Sequence, residues 1–238
     1  MKTIKQITFY SLLFLATTGC IENFIIDGNG IPVTEVRPAN NFNKVISSGD
    51  FEVYITKGMK LEVVVNAEQN ILPYIETTFS ENTLLISQRS LHNFKTRLPM
   101  KVYVTLPVLT GVNQSGSGHI TTDYFSAERI GLFVSGSGSI TTSVDANIVD
   151  ASISGSGWLK ITGDATESNL TISGPGNINS HNLMVNNCNA IISGSGYMQV
   201  YALKAISATI SGSGNVYYTG NPGVETKISG SGKVIREF

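Results

Sequence analysis

The tetrapeptide Ser-Gly-Ser-Gly returns seven times in the second half of the chain, starting at Ser115, Ser135, Ser154, Ser173, Ser193, Ser211 and Ser229, with Pro175 standing for the second serine of the fourth copy. The intervals are 20, 19, 19, 20, 18 and 18 residues. A short, steady period marks a solenoid, whose repeats bury their apolar faces only by stacking on one another. A flexible Gly/Ser linker has no reason to keep such a register.

The neighbours of the motif keep step with it. Val134, Ile153, Ile172, Ile192, Ile210 and Ile228 stand just before it, and Ile120, Ile140, Leu159, Ile178, Met198, Val216 and Val234 stand two residues after it. Three residues before it are Leu132, Ala151, Leu170, Ala190, Ala208 and Thr226, and five before it are Ile130, Val149, Ser168, Cys188, Ile206 and Val224. In an extended chain alternate residues face the same side, so these columns share one interior with both glycines of each motif, while the motif serines face outward. Stacking at about 4.8 Å per coil pairs the coils in parallel. The fold class expected is all-β, a single-stranded parallel β-helix of 18–20-residue coils, right-handed by the general preference of parallel crossovers. Glycine suits a sharp corner. Pro175, which cannot donate to a ladder, agrees with a corner there. All length variation falls in the remaining 7-to-9-residue arc, which makes that arc the expected place for a partner.

Composition narrows the partner. Only 14% of the 238 residues are charged and the formal net charge is -1, so no basic field exists for nucleic acid, and nucleic acid is excluded as a partner. The 41% hydrophobic content suffices for a real core.

The amino terminus reads as an export signal. Lys2 and Lys5 precede an apolar run from Ile7 to Ala16, too short to span a bilayer, and Leu15-Ala16-Thr17-Thr18-Gly19-Cys20 resembles a bacterial lipobox with Thr17 in the place usually held by Leu. On this reading residues 1–19 are removed and Cys20 carries the lipid, which makes the membrane a partner through that lipid. An ordinary cleaved signal or an uncleaved anchor is the alternative. Removal leaves 14 basic against 17 acidic residues. The expected location is the outer membrane of an exported, lipid-anchored protein, on its periplasmic or its cell-surface side.

Residues 20–40 read as a tether, punctuated by Asp27-Gly28-Asn29-Gly30, Pro32 and Pro38. Residues 41–110 read as an irregular β part with wider coils: Asp50 to Ile55, Lys60 to Val65, Thr83 to Ser87 and Met100 to Leu106 have strand patterns, and Ala67 to Leu72 offers a helical turn before Pro73. Residues 111–238 form the repetitive part, continuous with 41–110.

No constellation of catalytic chemistry emerges. His92, His119 and His181 are far apart and lack metal-ligand spacing, and Cys188 falls in a core column. Asp123, Asp145 and Asp164 lie in the arcs of successive coils without a neighbouring basic ladder, as turn residues do. The reading is therefore not an enzyme, with no catalytic residue, no metal and no cofactor. Trp158 and Tyr197 occupy the same column just past the glycine corner, shared by His119 in the first coil; with Tyr124 and Tyr201 they form a candidate ligand surface for sugar rings.

Phe42-Asn43-Lys44-Val45, Phe51-Glu52-Val53-Tyr54-Ile55, Asn70-Ile71-Leu72-Pro73-Tyr74-Ile75, Val102 to Pro107 and Gly-x-Gly-x-apolar coils such as Gly116-Ser117-Gly118-His119-Ile120 come in one specific order. In that order the chain, from Phe42 to Val234, resembles the head-GIN domain family, autotransporter-type adhesins common among exported proteins of Bacteroidetes-type bacteria. The resemblance implies a β-helical fold and an adhesin-like role. The expected function is that of a non-enzymatic cell-envelope lipoprotein acting in adhesion or scaffolding, with a glycan or a surface protein as partner. A carbohydrate-binding or carbohydrate-cleaving β-helix is the alternative.

Overall fold

The structure, a computed structural model, describes residues 24–90 and 92–237. The signal segment 1–19 and Cys20 lie outside the described residues. No helix among those described is long and apolar enough to cross a membrane.

The described chain forms about seven turns of a β-solenoid. Its strands are β1 (Phe24–Asp27), β2 (Pro32–Arg37), β3 (Lys44–Ser48), β4 (Phe51–Lys57), β5 (Glu62–Glu68), β6 (Ile75–Ser80), β7 (Thr83–Gln88), β8 (His92–Lys95) and β9 (Met100–Leu106). They continue as β10 (Gly111–Gly116), β11 (His119–Gly136), β12 (Ser139–Gly155), β13 (Trp158–Gly174), β14 (Asn177–Gly194), β15 (Tyr197–Gly212), β16 (Asn215–Thr219), β17 (Gly223–Gly230) and β18 (Lys233–Arg236). Each long strand from β11 to β15 is one whole coil, running from one Ser-Gly-Ser-Gly corner to the next and paired in parallel with the coils on either side. Register shifts occur between Thr121 and Tyr124, Lys160 and Thr162, Ser180 and Met184, and Val185 and Asn187. All fall in the variable arc. A bulge there absorbs a residue more or less while the inward columns keep their alignment.

Those columns are the core. Ile153, Ile172, Leu132, Leu170, Ile120, Ile140 and Leu159 are buried, as are Phe51 and Phe125, the bulkiest of the fully enclosed side chains. In the first Ser-Gly-Ser-Gly coil the column holds Gln114, whose Nε2 donates to the carbonyls of Gly49 (3.1 Å) and Ser115 (3.2 Å).

The two glycines of the motif serve different purposes, which corrects the expectation that both face inward. The second is buried in every coil, whereas the first is partly or fully exposed and has positive φ, +121° at Gly155. Alternation of sides holds only while the backbone stays extended, and the first glycine is where it turns.

Before the corner β10 pairs with β3 and β3 with β7; after it β11 pairs with β4 and β4 with β9. Ser48-Gly49 is thus a further corner of the same stack. Beyond these coils the direction of pairing changes. β6 lies antiparallel to β7, β5 antiparallel to β9 and β2 antiparallel to β5. The amino-terminal part is therefore more than a set of wider coils. Its helical turn is a 3-10 turn at Leu72–Tyr74, displaced from Ala67 to Leu72 because residues up to Glu68 belong to β5.

The tether expected at 20–40 is corrected as well: β1 pairs with β8 and β2 with β5. Glu68, 1% exposed, fastens this segment, since its carboxylate accepts from the backbone N–H of Gly30, Arg97 (2.8 Å) and Leu98 (3.4 Å). Asn70 adds two bonds, donating to the Asp27 carbonyl (2.8 Å) and accepting from Asn29 N–H (3.0 Å).

Candidate ligand-binding face

In a parallel stack, like positions of successive coils stand directly above one another. The outward position just past the corner therefore forms a continuous column: Lys101, Glu52, His119, Ser139, Trp158, Asn177, Tyr197, Asn215 and Lys233. From His119 onward rings occupy every second rung, at His119, Trp158 and Tyr197, with a small polar side chain between them. Trp158 and Tyr197 are each more than 40% exposed. His119 Nδ1 lies 2.7 Å from Ser139 Oγ, and the Asn177 side-chain Oδ1 accepts the Tyr197 backbone N–H at 3.3 Å, so each of these spacers is tied to one neighbouring ring rung.

The adjoining outward column carries Tyr103, Tyr54, Thr121, Thr141, Lys160, Asn179, Gln199, Tyr217 and Ile235. Tyr54 and Tyr103 stack at 5.3 Å between ring centres, and Tyr217 meets Tyr197 edge to face at 6.3 Å. The Tyr54 hydroxyl donates to Glu52 Oε2 (3.0 Å), and this bond, with burial and the carboxylate charge, raises the phenol pKa above its ordinary value. Lys101 pairs with the same Glu52 oxygen at 3.5 Å. The result is one face carrying rings, amides and hydroxyls, on which Trp158, Tyr197 and Tyr103 are exposed while Ser139 is covered. Such a surface offers stacking and hydrogen bonds to an extended ligand, and Glu52, Tyr54 and His119 line a small hollow on it.

Of the residues singled out in the sequence, Trp158 and Tyr197 share this face, and His119 joins them. Tyr124 and Tyr201 do not. Tyr124 stands in the variable arc, where Lys57 Nζ lies 5.9 Å from its ring centre and its hydroxyl donates to Asp145 Oδ2 at 3.3 Å. Tyr201 pairs with Met184 and lines a separate hollow with His181, Asn182 and Thr219. Asp145 and Asp164 are neighbours on adjacent rungs in a shallow hollow lined by Ala146, Ala165 and Met184, without a basic side chain in its lining. Asp123 is elsewhere, accepting the Lys57 backbone N–H at 3.0 Å. Cys188 is interior, and burial, opposed only in part by a hydrogen bond with Ser168, pushes its thiol pKa up to about 11. Among the described residues no group of three His, Cys, Asp or Glu side chains could hold a metal ion.

A further concavity escaped the sequence reading. On the face before the corner, Gly111 and Gly131 leave a hollow of about 550 Å³ bounded by Ile46, Phe133 and Lys44, with the Arg129–Asp150 ion pair at its rim. Its sequence signal is a pair of glycines one coil apart, four residues before the motif, overshadowed by the motif's own glycines.

Structural relatives share this architecture. An adhesin-type protein of Bacteroides fragilis superposes with a TM-score of 0.83 at 23% identity, covering 89% of this chain and all of its own. A protein of Parabacteroides distasonis described as "Putative lipid binding protein" follows at 0.77 and 21%, and an adhesin-type protein of Parabacteroides merdae at 0.70 and 22%; each aligns with 90% of this chain and over its own full length. At such identities the likeness is one of fold. No curated protein matches the chain. The profile of the family described as "Putative auto-transporter adhesin, head GIN domain" matches residues 41–222, and the chain belongs to that family.

Proposed function

We propose that this protein is a non-enzymatic, lipid-anchored component of the cell envelope that works by adhesion or scaffolding, and that its partner is an extended glycan lying along the face past the glycine corner. The observation that carries this reading is the alternation of His119, Trp158 and Tyr197 on every second rung. Two rungs span about 9.6 Å. A sugar ring in an extended chain advances by about as much as one rung, so rings two rungs apart meet every second sugar in the same orientation. Asn179 and Gln199 in the adjoining column supply donors and acceptors for sugar hydroxyls. The family's adhesin description agrees with a binding role, and the lipobox-like segment ending at Cys20 supports anchoring.

A glycan array followed by titration of the ligands found tests the proposal. Trp158→Ala and Tyr197→Ala are each expected to weaken binding about tenfold or more, the usual cost of losing one stacking ring. Tyr124→Ala and Tyr201→Ala should change it less than about twofold. Absence of glycan binding, or equal effects of all four substitutions, would remove the assigned face. A polysaccharide-cleavage screen separates binding from chemistry: turnover abolished by Asp145→Ala or Asp164→Ala would replace the adhesive reading with an enzymatic one. Release of the protein from membranes by Cys20→Ser tests the anchor, and protease shaving of intact cells distinguishes the two sides of the outer membrane.

A further inference from the structure

At the carboxy-terminal end of the stack, β17 pairs with β15 and β18 with β16, and no described strand pairs with the outer edge of either. The inward positions of β17 are Val224, Thr226 and Ile228, aligned with the buried Ile206, Ala208 and Ile210 of β15. With no described coil above them, Val224 and Ile228 remain 39% and 42% exposed. Glu225 and Lys227 alternate with them on the outward side, aligned with Ser207 and Thr209.

A free edge of this kind recruits another strand unless something prevents it. Charges of one sign would repel a second copy. Here the signs are opposite and symmetric about Thr226, so Val-Glu-Thr-Lys-Ile has the same chemistry read in either direction: apolar, charged, Thr, oppositely charged, apolar. An antiparallel pairing that sets Thr226 against Thr226 of a second copy sets Val224 against Ile228 and Glu225 against Lys227, on both sides of a two-fold axis. Directly opposed residues of an antiparallel pair share a face. Both apolar pairs then fall on the core side and both ion pairs on the solvent side.

We propose that β17 docks on β17 of a second copy, antiparallel and centred on Thr226, joining two solenoids tip to tip. The neighbouring β18 bears Lys233 and Arg236 and so carries like charge, which confines the junction to β17. One strand pair makes a small interface, and the association is weak and reversible. The amino-terminal parts of the two copies sit at opposite ends of the joined rod. Where the anchor proposed above holds each copy, the pair bridges two envelope surfaces.

Sedimentation or light scattering of the purified protein across a wide concentration range tests the junction. The expected result is a reversible dimer that weakens as salt screens the ion pairs. Glu225→Lys and Lys227→Glu each place like charges opposite one another and should raise the dissociation constant at least about tenfold. The double exchange Glu225→Lys with Lys227→Glu should restore it. An equimolar mixture of the two single variants should also dimerise, because position 225 of one chain then meets the opposite charge at position 227 of the other. Both side chains are exposed, so an unchanged melting temperature separates lost pairing from lost folding. A monomer at every concentration overturns the proposal, as does a dimer that the single reversals leave unmoved. Neither outcome touches the glycan face, which lies on other strands.

Discussion

Gly157 stands one coil above Val134, and a β-carbon on Gly157 would lie 2.5 Å from Val134 Cγ1 and 2.4 Å from the carbonyl oxygen of Gly138. The same crowding returns at Gly176 against Ile153 (2.6 Å) and at Gly214 against Ile192 (2.6 Å). From the third motif onward, the second glycine therefore makes the space into which the preceding coil's apolar side chain packs.

Gly157→Ala is expected to destabilise the protein by about 1–3 kcal/mol through overpacking. Gly155→Ala should destabilise it for another reason, because φ there is +121° and an added β-carbon would also meet the Gly136 carbonyl at 2.5 Å. Ser156→Ala, at the exposed position between them, should stay within about 0.5 kcal/mol. Urea denaturation of the three variants checks the ranking.

Glu68 gives stability a dependence on acid. Burial alone would raise its pKa, but the N–H donors of Arg97, Gly30 and Leu98 and the Arg97 charge outweigh burial and hold it below the ordinary 4.5. A depressed folded-state pKa contributes stability that is present above 4.5 and lost as the pH falls through the lower folded value. Melting curves from pH 6 downward should show a loss below about pH 4.5 that Glu68→Gln reduces. In that variant the Gly30 and Arg97 amides should exchange faster at neutral pH, because one carbonyl oxygen replaces two charged acceptors.

Cys188 should be inert in the folded protein. With its thiol pKa near 11 and its side chain enclosed, alkylation at pH 8 should proceed only after denaturation, as mass spectrometry can read. A raised folded-state pKa contributes stability that is present below 9.0 and lost as the pH climbs towards 11. Cys188→Ala should remove that alkaline component.

The stack should tolerate loss of a coil. Removing residues 155–173 joins Ser154 to Gly174 and recreates a complete corner, so each remaining coil keeps a neighbour of the same shape. The shortened chain should unfold cooperatively with an m-value lower by about a tenth, in line with the surface removed. A molten or aggregated product would mean that coils are not interchangeable.

The repeating half was legible because its causes are local. Ile153 and Leu159 alternate with polar neighbours along one coil, and the same alternation returns one coil later at Ile172 and Ile178, so period and parity were both visible in the string. The amino-terminal segment was not. Asp27-Gly28-Asn29-Gly30 has the composition of a loose connection, and what holds it are Glu68 and Asn70, 38 and 43 residues away. The change from parallel to antiparallel pairing at β5 and β6 was hidden for the same reason, since a strand's own residues do not specify the direction of its partner. Trp158 and Tyr197 could be placed together because they occupy one column of the repeat. Tyr124 and Tyr201 lie in the arc, where bulges between Thr121 and Tyr124 and between Ser180 and Met184 break the column count.

The sequence by itself determined the solenoid, its period, the interior columns and the corner at each Ser-Gly-Ser-Gly, because an unburied apolar stripe repeated every 18–20 residues has one economical solution, which is to stack. Only the tertiary structure decided that Tyr124 and Tyr201 stand away from the ring face, how the amino-terminal strands close one end, and that Val224 and Ile228 stay open at the other. Those outcomes depend on which backbone edges meet and which stay unpaired, and edge pairing joins residues far apart in the chain.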